Sequence, residues 1–149
     1  VEYRIPNYYL YGHRAQIINI SFELCSEAPN FNMDWPSDIT LWLNGKEICT
    51  YTSKGDFGDR RGHLTPSWWS SFSTQYGLLK TFKVDGYGVY IDENQINELP
   101  IDELNLESDT HFTLRIGIKD DAKNKGGLNI FGKTFGDYAQ DIIVRIDYI

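Results

Sequence analysis

Residues 38–53 read DITLWLNGKEICTYTS and carry the clearest fold signal in the chain. Two runs rich in aliphatic, aromatic and β-branched residues flank the dipeptide Asn44-Gly45. Asn-Gly supplies two successive residues that tolerate positive φ angles, which a type I′ turn requires between antiparallel strands. The stretch therefore predicts a β-hairpin that turns at Asn44 and Gly45.

Alternation of apolar and polar residues predicts further strands on both sides of this hairpin. The stretches are QIINISFELCSE (16–27), LLKTFKVDGYGVYID (78–92), HFTLRIGIK (111–119) and DIIVRIDYI (141–149). Residues 78–92 are predicted to form a second hairpin around Asp85-Gly86. In the first stretch the apolar face contains Ile18, Ile20, Phe22 and Leu24, and Asn19, Ser21 and Glu23 face the other way. The last two stretches place Phe112, Leu114, Ile116 and Ile118, and Ile142, Val144, Ile146 and Tyr148, on their apolar faces.

Helical signals are short. Thr65 is a suitable N-cap, and Pro66 behind it suits the first helical position, so residues 66–72 are predicted to form a short helix. A further turn is predicted at residues 101–104. Many strands and no long amphipathic helix predict an all-β fold, an antiparallel sandwich of jelly-roll type. Residues 1–149 are expected to form a single domain.

Three segments show neither the periodicity of a helix nor the alternation of a strand. They are SEAPNFNMDWPSD (26–38), KGDFGDRRGHLTPSWW (54–69) and DDAKNKGGLNIFGKTFGDYAQ (120–140). Long loops in compact domains are often functional. Because a sandwich gathers its loops at its ends or over one face, we expect the three segments to meet.

Charge and composition restrict the class of partner. The net charge of −7 disfavours broad binding to phosphate backbones by this chain itself. No signal peptide and no apolar run of about 20 residues is visible, which indicates a cytoplasmic protein without membrane spans. Cys25 and Cys49 each lie in an apolar stretch and are expected to be buried thiols; a disulfide or a metal pair is the alternative.

Catalytic and metal-binding patterns are weak. The triplet Asp56-Phe57-Gly58 lacks the other kinase motifs. His63 with Asp56 and Asp59 is too loosely spaced to predict a metal site, and those aspartates suit bonds to loop amides. The carboxylates Asp34, Asp56, Asp59 and Asp137 would be the candidates for a hydrolase, yet nothing marks one as a general acid. We therefore expect no enzyme, no metal and no cofactor.

Binding is better supported, because aromatic residues are abundant in and beside the irregular segments. Indole and phenol rings can stack on the C–H faces of sugars while neighbouring polar groups bond to hydroxyls. The predicted ligand-binding residues are Asp34, Trp35, Arg60, Arg61, His63, Trp68, Trp69 and Tyr76. Two alternatives stay open: that the tryptophans plug the open ends of the sandwich, and that the arginines clamp their own loop through carboxylates.

Three long motifs resemble one family. They are LCSEAPNFNMDWPSDITLWLNGKEICTYTSKGDFGDRRGHLTPSWW (24–69), TQYGLLKTFKV (74–84) and LRIGIKDDAKNKGGLNIFGKTFGDYAQDIIVRIDY (114–148). From about Ile17 to its end the chain is similar to the C-terminal domain of bacterial ArsR-type winged-helix transcriptional regulators. The resemblance implies an N-terminal DNA-binding winged helix that this chain lacks, and a dimeric regulator. Val1 in place of Met agrees with a piece of a longer protein.

The metal sensing of many ArsR-type proteins does not carry over, because this chain has no cysteine or histidine cluster. The resemblance and the loop aromatics together predict an effector-sensing domain that binds a small molecule, for example a sugar. The alternative is a dimerisation or protein-docking domain with no small ligand. A carbohydrate-active enzyme is a third reading.

Overall fold

The structure is a computed structural model that describes residues 1–10 and 12–149. Its regular elements are almost entirely strands. They are β1 (Glu2–Pro6), β2 (Ala15–Cys25), β3 (Ser37–Leu43), β4 (Lys46–Ser53), β5 (Leu78–Val84), β6 (Val89–Ile91), β7 (Asn94–Asn97), β8 (His111–Gly117), β9 (Asn129–Ile130) and β10 (Ile143–Tyr148). Short 3₁₀ helices span Tyr8–Leu10 and Ile101–Leu104. The second of these confirms the predicted turn.

Two antiparallel sheets form the sandwich. The four-stranded sheet has the order β1-β8-β3-β4, and the six-stranded sheet has the order β10-β2-β5-β6-β7, with β9 also paired to β2. Strand β2 is the longest, and it pairs β5 along one edge and first β10, then β9, along the other. The predicted all-β antiparallel sandwich is confirmed.

The alternating residues of the predicted strands fill the space between the sheets. The completely buried side chains of these strands and of β3 are Ile18, Ile20, Phe22, Leu24, Ile39, Leu41, Leu43, Phe112, Leu114 and Ile116. Ile142, Val144 and Ile146 are half-buried against this core, whereas Tyr148 is exposed. Tyr148 lies at the end of β10, next to a register shift between Asp147 and Tyr148.

The Asn-Gly hairpin forms as predicted. Asn44 has a φ of 49° and Gly45 a φ of 77°, the pair of left-handed residues that a type I′ turn needs. The side chain of Asn44 also fixes the turn, since Nδ2 donates to the carbonyl of Leu104 (2.9 Å) and Oδ1 accepts from the amide of Thr113 (3.1 Å). The second predicted hairpin joins β5 to β6 through residues 85–88.

The predicted helix at residues 66–72 is wrong: two successive turns occupy this stretch. The amide of Trp69 donates to Pro66, and that of Ser73 donates to Ser70. Arg61 donates to the carbonyls of both Pro66 (3.0 Å) and Trp69 (2.8 Å), which a continuing helix would have used internally. Thr65 does not cap a helix but bonds across the loops to Gln75 and Gly136.

Glu23 also departs from the pattern. Its alternation with Asn19 and Ser21 placed it on the face away from the sandwich core, where a carboxylate is normally solvated, yet it is completely buried. The irregular segments fold over this outer face and form a second apolar cluster. Its buried members are Cys25, Phe57 and Phe131, and Met33, Tyr76 and Phe135 pack against them.

Both cysteines are buried and unpaired, as expected of two thiols. Cys25 lies in the second cluster and Cys49 in the main core. Burial raises the pKa of both thiols, that of Cys49 to about 12. Within residues 1–10 and 12–149, no helix combines the length and the apolarity that a membrane span needs.

Candidate ligand-binding site

The three irregular segments meet over the outer face of the six-stranded sheet. The amide of Glu27 donates to the carbonyl of Gly126 (2.7 Å), which joins the first segment to the third. Asn32 and Asp56 exchange backbone hydrogen bonds between the first and second. The amide of Leu64 donates to the carbonyl of Gly136 (2.7 Å), which joins the second to the third. The predicted meeting of the segments is therefore confirmed.

A cavity of about 390 Å³ opens where they meet. Its volume lies within the range of small-molecule sites. Residues from all three loop regions line it: Glu27, Ala28, Asn30, Trp69, Ser73, Thr74, Asn129, Ile130, Phe131, Gly132 and Phe135. Each of the three irregular segments therefore contributes residues to the wall of this one cavity.

One part of the cavity lining is aromatic. The rings of Trp69 and Phe135 meet edge to face, with centroids 5.1 Å apart and planes at 90°. Phe131 follows, its centroid 6.1 Å from that of Phe135. The indole Nε1 of Trp69 donates to the carbonyl of Thr74 (2.8 Å), which fixes the orientation of the ring. Such fixed rings offer flat apolar faces to a ligand at little entropic cost.

The remaining lining is polar and only partly used by the fold. Asn129 donates through Nδ2 to the carbonyl of Ser26 (3.0 Å), which leaves its Oδ1 as an acceptor. The side chains of Glu27, Asn30 and Ser73 make no hydrogen bond to another residue that the structure describes. Amide, hydroxyl and carboxylate groups beside aromatic faces are suited to a hydroxylated ligand.

Asp56 supports the cavity from beneath. It is completely buried, and its Oδ2 accepts from the amide of Ala28 (2.9 Å), a lining residue. Burial raises the pKa of Asp56, and hydrogen bonds from Thr74 and Ala28 partly offset that effect. Asp56 is thus one of the aspartates that bond to loop amides, as its sequence context suggested.

The predicted residues Arg60, His63 and Tyr76 gather beside the cavity rather than in it. Arg60 makes a bidentate pair with Asp137 (3.0 and 2.6 Å), and its guanidinium lies 3.8 Å from the ring centroid of Tyr76. The amide of His63 donates to the same Asp137 carboxylate (3.0 Å). Partial burial acts to raise the pKa of Asp137, but the bonds from Arg60 and His63 outweigh it and lower that pKa.

Both arginines therefore tie the loops together. The carboxylate that pairs with Arg60 is Asp137 of the third segment, not the adjacent Asp56 or Asp59 that its sequence suggested. Asp59 instead accepts from the hydroxyl of Tyr76. Arg61 holds the backbone behind Trp69.

The other predicted residues are distributed unevenly. Trp69 lines the cavity. The ring centroid of Trp68 lies 6.0 Å from that of Trp69, and 78% of the surface of Trp68 is exposed. Asp34 and Trp35 are exposed and lie on another part of the loop surface, where Trp35 approaches Gly126 and its amide donates to Lys54. The structure thus brings one of the eight predicted residues into the cavity and three others beside it in the Asp137 cluster.

Sequence reasoning did not select Glu27, Asn30, Ser73, Thr74 and Asn129. They are small or common polar residues without a motif of their own. The only available signal was their position in or beside the irregular segments. Among the residues described, no group of three or more His, Cys, Asp or Glu side chains is placed to hold a metal ion.

Comparison of the chain with protein-family models, with curated proteins and with solved structures gives no match.

Proposed function

We propose that this chain is an effector-binding domain that takes up a hydroxylated small molecule, of the sugar class, in the cavity between its loops. The observation that carries the proposal is the cavity itself. The second and third segments place the rings of Trp69, Phe131 and Phe135 there, and the first and third segments add polar groups that the fold leaves unused. Ring faces stack on the C–H faces of a sugar, and Glu27, Asn30 and Asn129 accept or donate hydrogen bonds to its hydroxyls.

In the wider protein we propose a regulatory role in the cytoplasm, as the sensor half of a dimeric winged-helix regulator. The support is the sequence resemblance to ArsR-type C-terminal domains and the acidic charge of −7, which leaves DNA binding to another domain. The ligand would change DNA affinity only by binding two arrangements of the dimer with different affinity. A winged-helix pattern in the same gene, next to the region encoding this chain, is the expected finding.

The ligand-binding proposal is tested by calorimetry and thermal shift of the 149-residue chain against a panel of mono- and disaccharides. We expect at least one millimolar or tighter ligand whose affinity falls at least about tenfold in Trp69→Ala, because one stacking ring is lost. Trp42→Ala is the matched control, since Trp42 lies on β3 in the other sheet, against Arg115. A folded chain that binds no member of the panel contradicts the proposal.

A second candidate, association with another protein chain, is favoured by an apolar trough of about 610 Å³ between the edge strands β1 and β10. Half-buried Ile5, Ile142 and Val144 line it. Edge strands with adjoining apolar surface are common pairing sites. Sedimentation of the chain alone tests self-association through this trough: a tight dimer supports it, and a monomer counts against it.

A further inference from the structure

The loop that carries Trp69 into the cavity also exposes large apolar side chains beside it. Trp68 is 78% exposed and Phe72 is 73% exposed, and Leu64 is exposed to a smaller extent. Exposed aromatic rings grouped on one loop of a folded domain usually mark a contact surface.

This loop is held firmly, so the exposure is not a consequence of a loose backbone. Arg61 donates to the carbonyls of Pro66 and Trp69. The buried Gln75 donates through Nε2 to the carbonyls of Ser70 (2.9 Å) and Ser73 (3.2 Å). Four carbonyls of the two turns are thus bonded by side chains from outside them, and the rings of Trp68 and Phe72 are presented on a fixed framework.

The charge pattern indicates a neutral partner. Residues 62–79 (GHLTPSWWSSFSTQYGLL) contain no Asp, Glu, Lys or Arg, although the chain has 35 such residues in 149 (14 + 21). The loop carries no Lys or Arg of its own, and the guanidinium of Arg61 beside it is engaged by the carbonyls of Pro66 and Trp69. The overall charge of −7 repels anionic lipid surfaces and nucleic acids. Hydroxyl-bearing Ser67, Ser70 and Ser71 accompany the rings.

Resting on the proposed function, we infer that the ligand is a chain of sugar units rather than a single sugar, with one unit in the cavity and the next units on Trp68 and Phe72. The ring of Trp68 lies 6.0 Å from that of Trp69, which lines the cavity, so Trp68 continues the aromatic surface outward. Phe72 follows three residues after Trp69 on the same loop. A single sugar would use the cavity and leave Trp68 and Phe72 uncovered.

The test compares neutral tetrasaccharides (cello-, xylo-, malto- and chitotetraose) with their own monomers by calorimetry on the 149-residue chain. We expect a tetrasaccharide to bind at least about tenfold more tightly than its monomer, because additional ring faces are covered. Trp68→Ala and Phe72→Ala should remove most of that gain and leave monomer affinity unchanged. Both side chains are exposed, so the variants should fold.

Tyr87→Ala is the matched control. Tyr87 is 81% exposed but lies in the turn after β5, at the opposite end of the strand from the loop. It should leave both affinities unchanged.

Three outcomes overturn the inference. The first is that monosaccharide and tetrasaccharide bind with equal affinity, or that the tighter binding of the tetrasaccharide persists in both Trp68→Ala and Phe72→Ala. This result overturns the inference but leaves the proposed function standing. Binding of no saccharide removes the proposed function as well. A dimer in sedimentation that Trp68→Ala dissociates would show that a second copy of the chain, not a glycan, covers the rings.

Discussion

Single buried polar side chains decide how the loops of this protein are held. Glu23 is the clearest case. Its Oε2 accepts from the amide of Gly77 (2.7 Å), and its carboxylate also accepts from the amides of Asp137 (3.0 Å) and Tyr138 (3.1 Å). Gly136 permits this contact: its φ is 80°, and a Cβ there would lie 2.5 Å from Oε2. One strand residue therefore fixes the backbone of two loops.

The first prediction concerns Glu23→Gln. Its amide group would place an N–H₂ donor against converging backbone donors, so we expect a loss of about 2–3 kcal/mol in the free energy of unfolding. Urea denaturation measures it. Glu47→Gln is the control: Glu47 makes a solvent-exposed pair with Lys119 (2.8 Å), and its removal should cost less than about 1 kcal/mol. Equal effects of the two substitutions would contradict the role given to Glu23.

At the scale of the element, the two hairpin turns show what local backbone conformation contributes to stability. Gly45 stands in the left-handed region with nothing within 4 Å of where a Cβ would be, so only the backbone conformation matters there. Gly86 stands in equally open space, but its φ lies outside the left-handed region. The two turn glycines thus differ in backbone conformation and not in the space around them.

We predict that Gly45→Ala lowers the free energy of unfolding by about 1 kcal/mol, the cost of forcing an L-residue into the left-handed region. Gly86→Ala should change it by less than about 1 kcal/mol and in the stabilising direction, because alanine restricts the unfolded chain. Thermal and urea unfolding of both variants check this. Equal destabilisation by both would show that the turn at Asn44 and Gly45 does not determine the effect.

At the scale of the whole molecule, two aspartates give its stability opposite dependences on pH. Burial raises the pKa of Asp56 where the first two segments meet. Hydrogen bonds from Thr52 and then Asn124 lower the pKa of Asp38, which joins the third segment to β3. A group with a raised folded pKa stabilises most below its unfolded pKa of about 4, and a group with a lowered one stabilises most above it.

The third prediction compares Asp56→Asn with Asp38→Asn. The stability that protonated Asp56 contributes is lost as the pH rises from about 4 through its raised folded pKa. Asp56→Asn should therefore gain stability relative to the native chain over that interval. The contribution of Asp38 is lost as the pH falls below about 4, so Asp38→Asn should show its greatest relative loss above that pH. Urea unfolding from pH 3 to 7 measures both; slopes of the same sign would contradict the prediction.

Trp69 shows how much of the site could be found from sequence. A tryptophan pair in an irregular stretch is conspicuous, and one of the two lines the cavity. Asn129 is not conspicuous, because its role depends on β9 pairing with β2, more than 100 residues earlier in the chain. For Arg60 the sequence left a ligand-binding role and a loop-clamping role open. Its partner Asp137 is 77 residues away, and sequence proximity favoured the wrong aspartates.

The sequence by itself determined seven of the ten strands (β2 to β6, β8 and β10), the Asn-Gly turn and the buried faces of those strands. These depend on alternation and on backbone conformation, which act between neighbours in the chain. Only the tertiary structure decided that Glu23 is buried, that residues 66–72 form turns rather than a helix, and where the cavity lies. Each of these depends on bonds to groups from other segments, such as Thr65 to Gly136 and Glu23 to Tyr138, and local patterns carry no information about such partners.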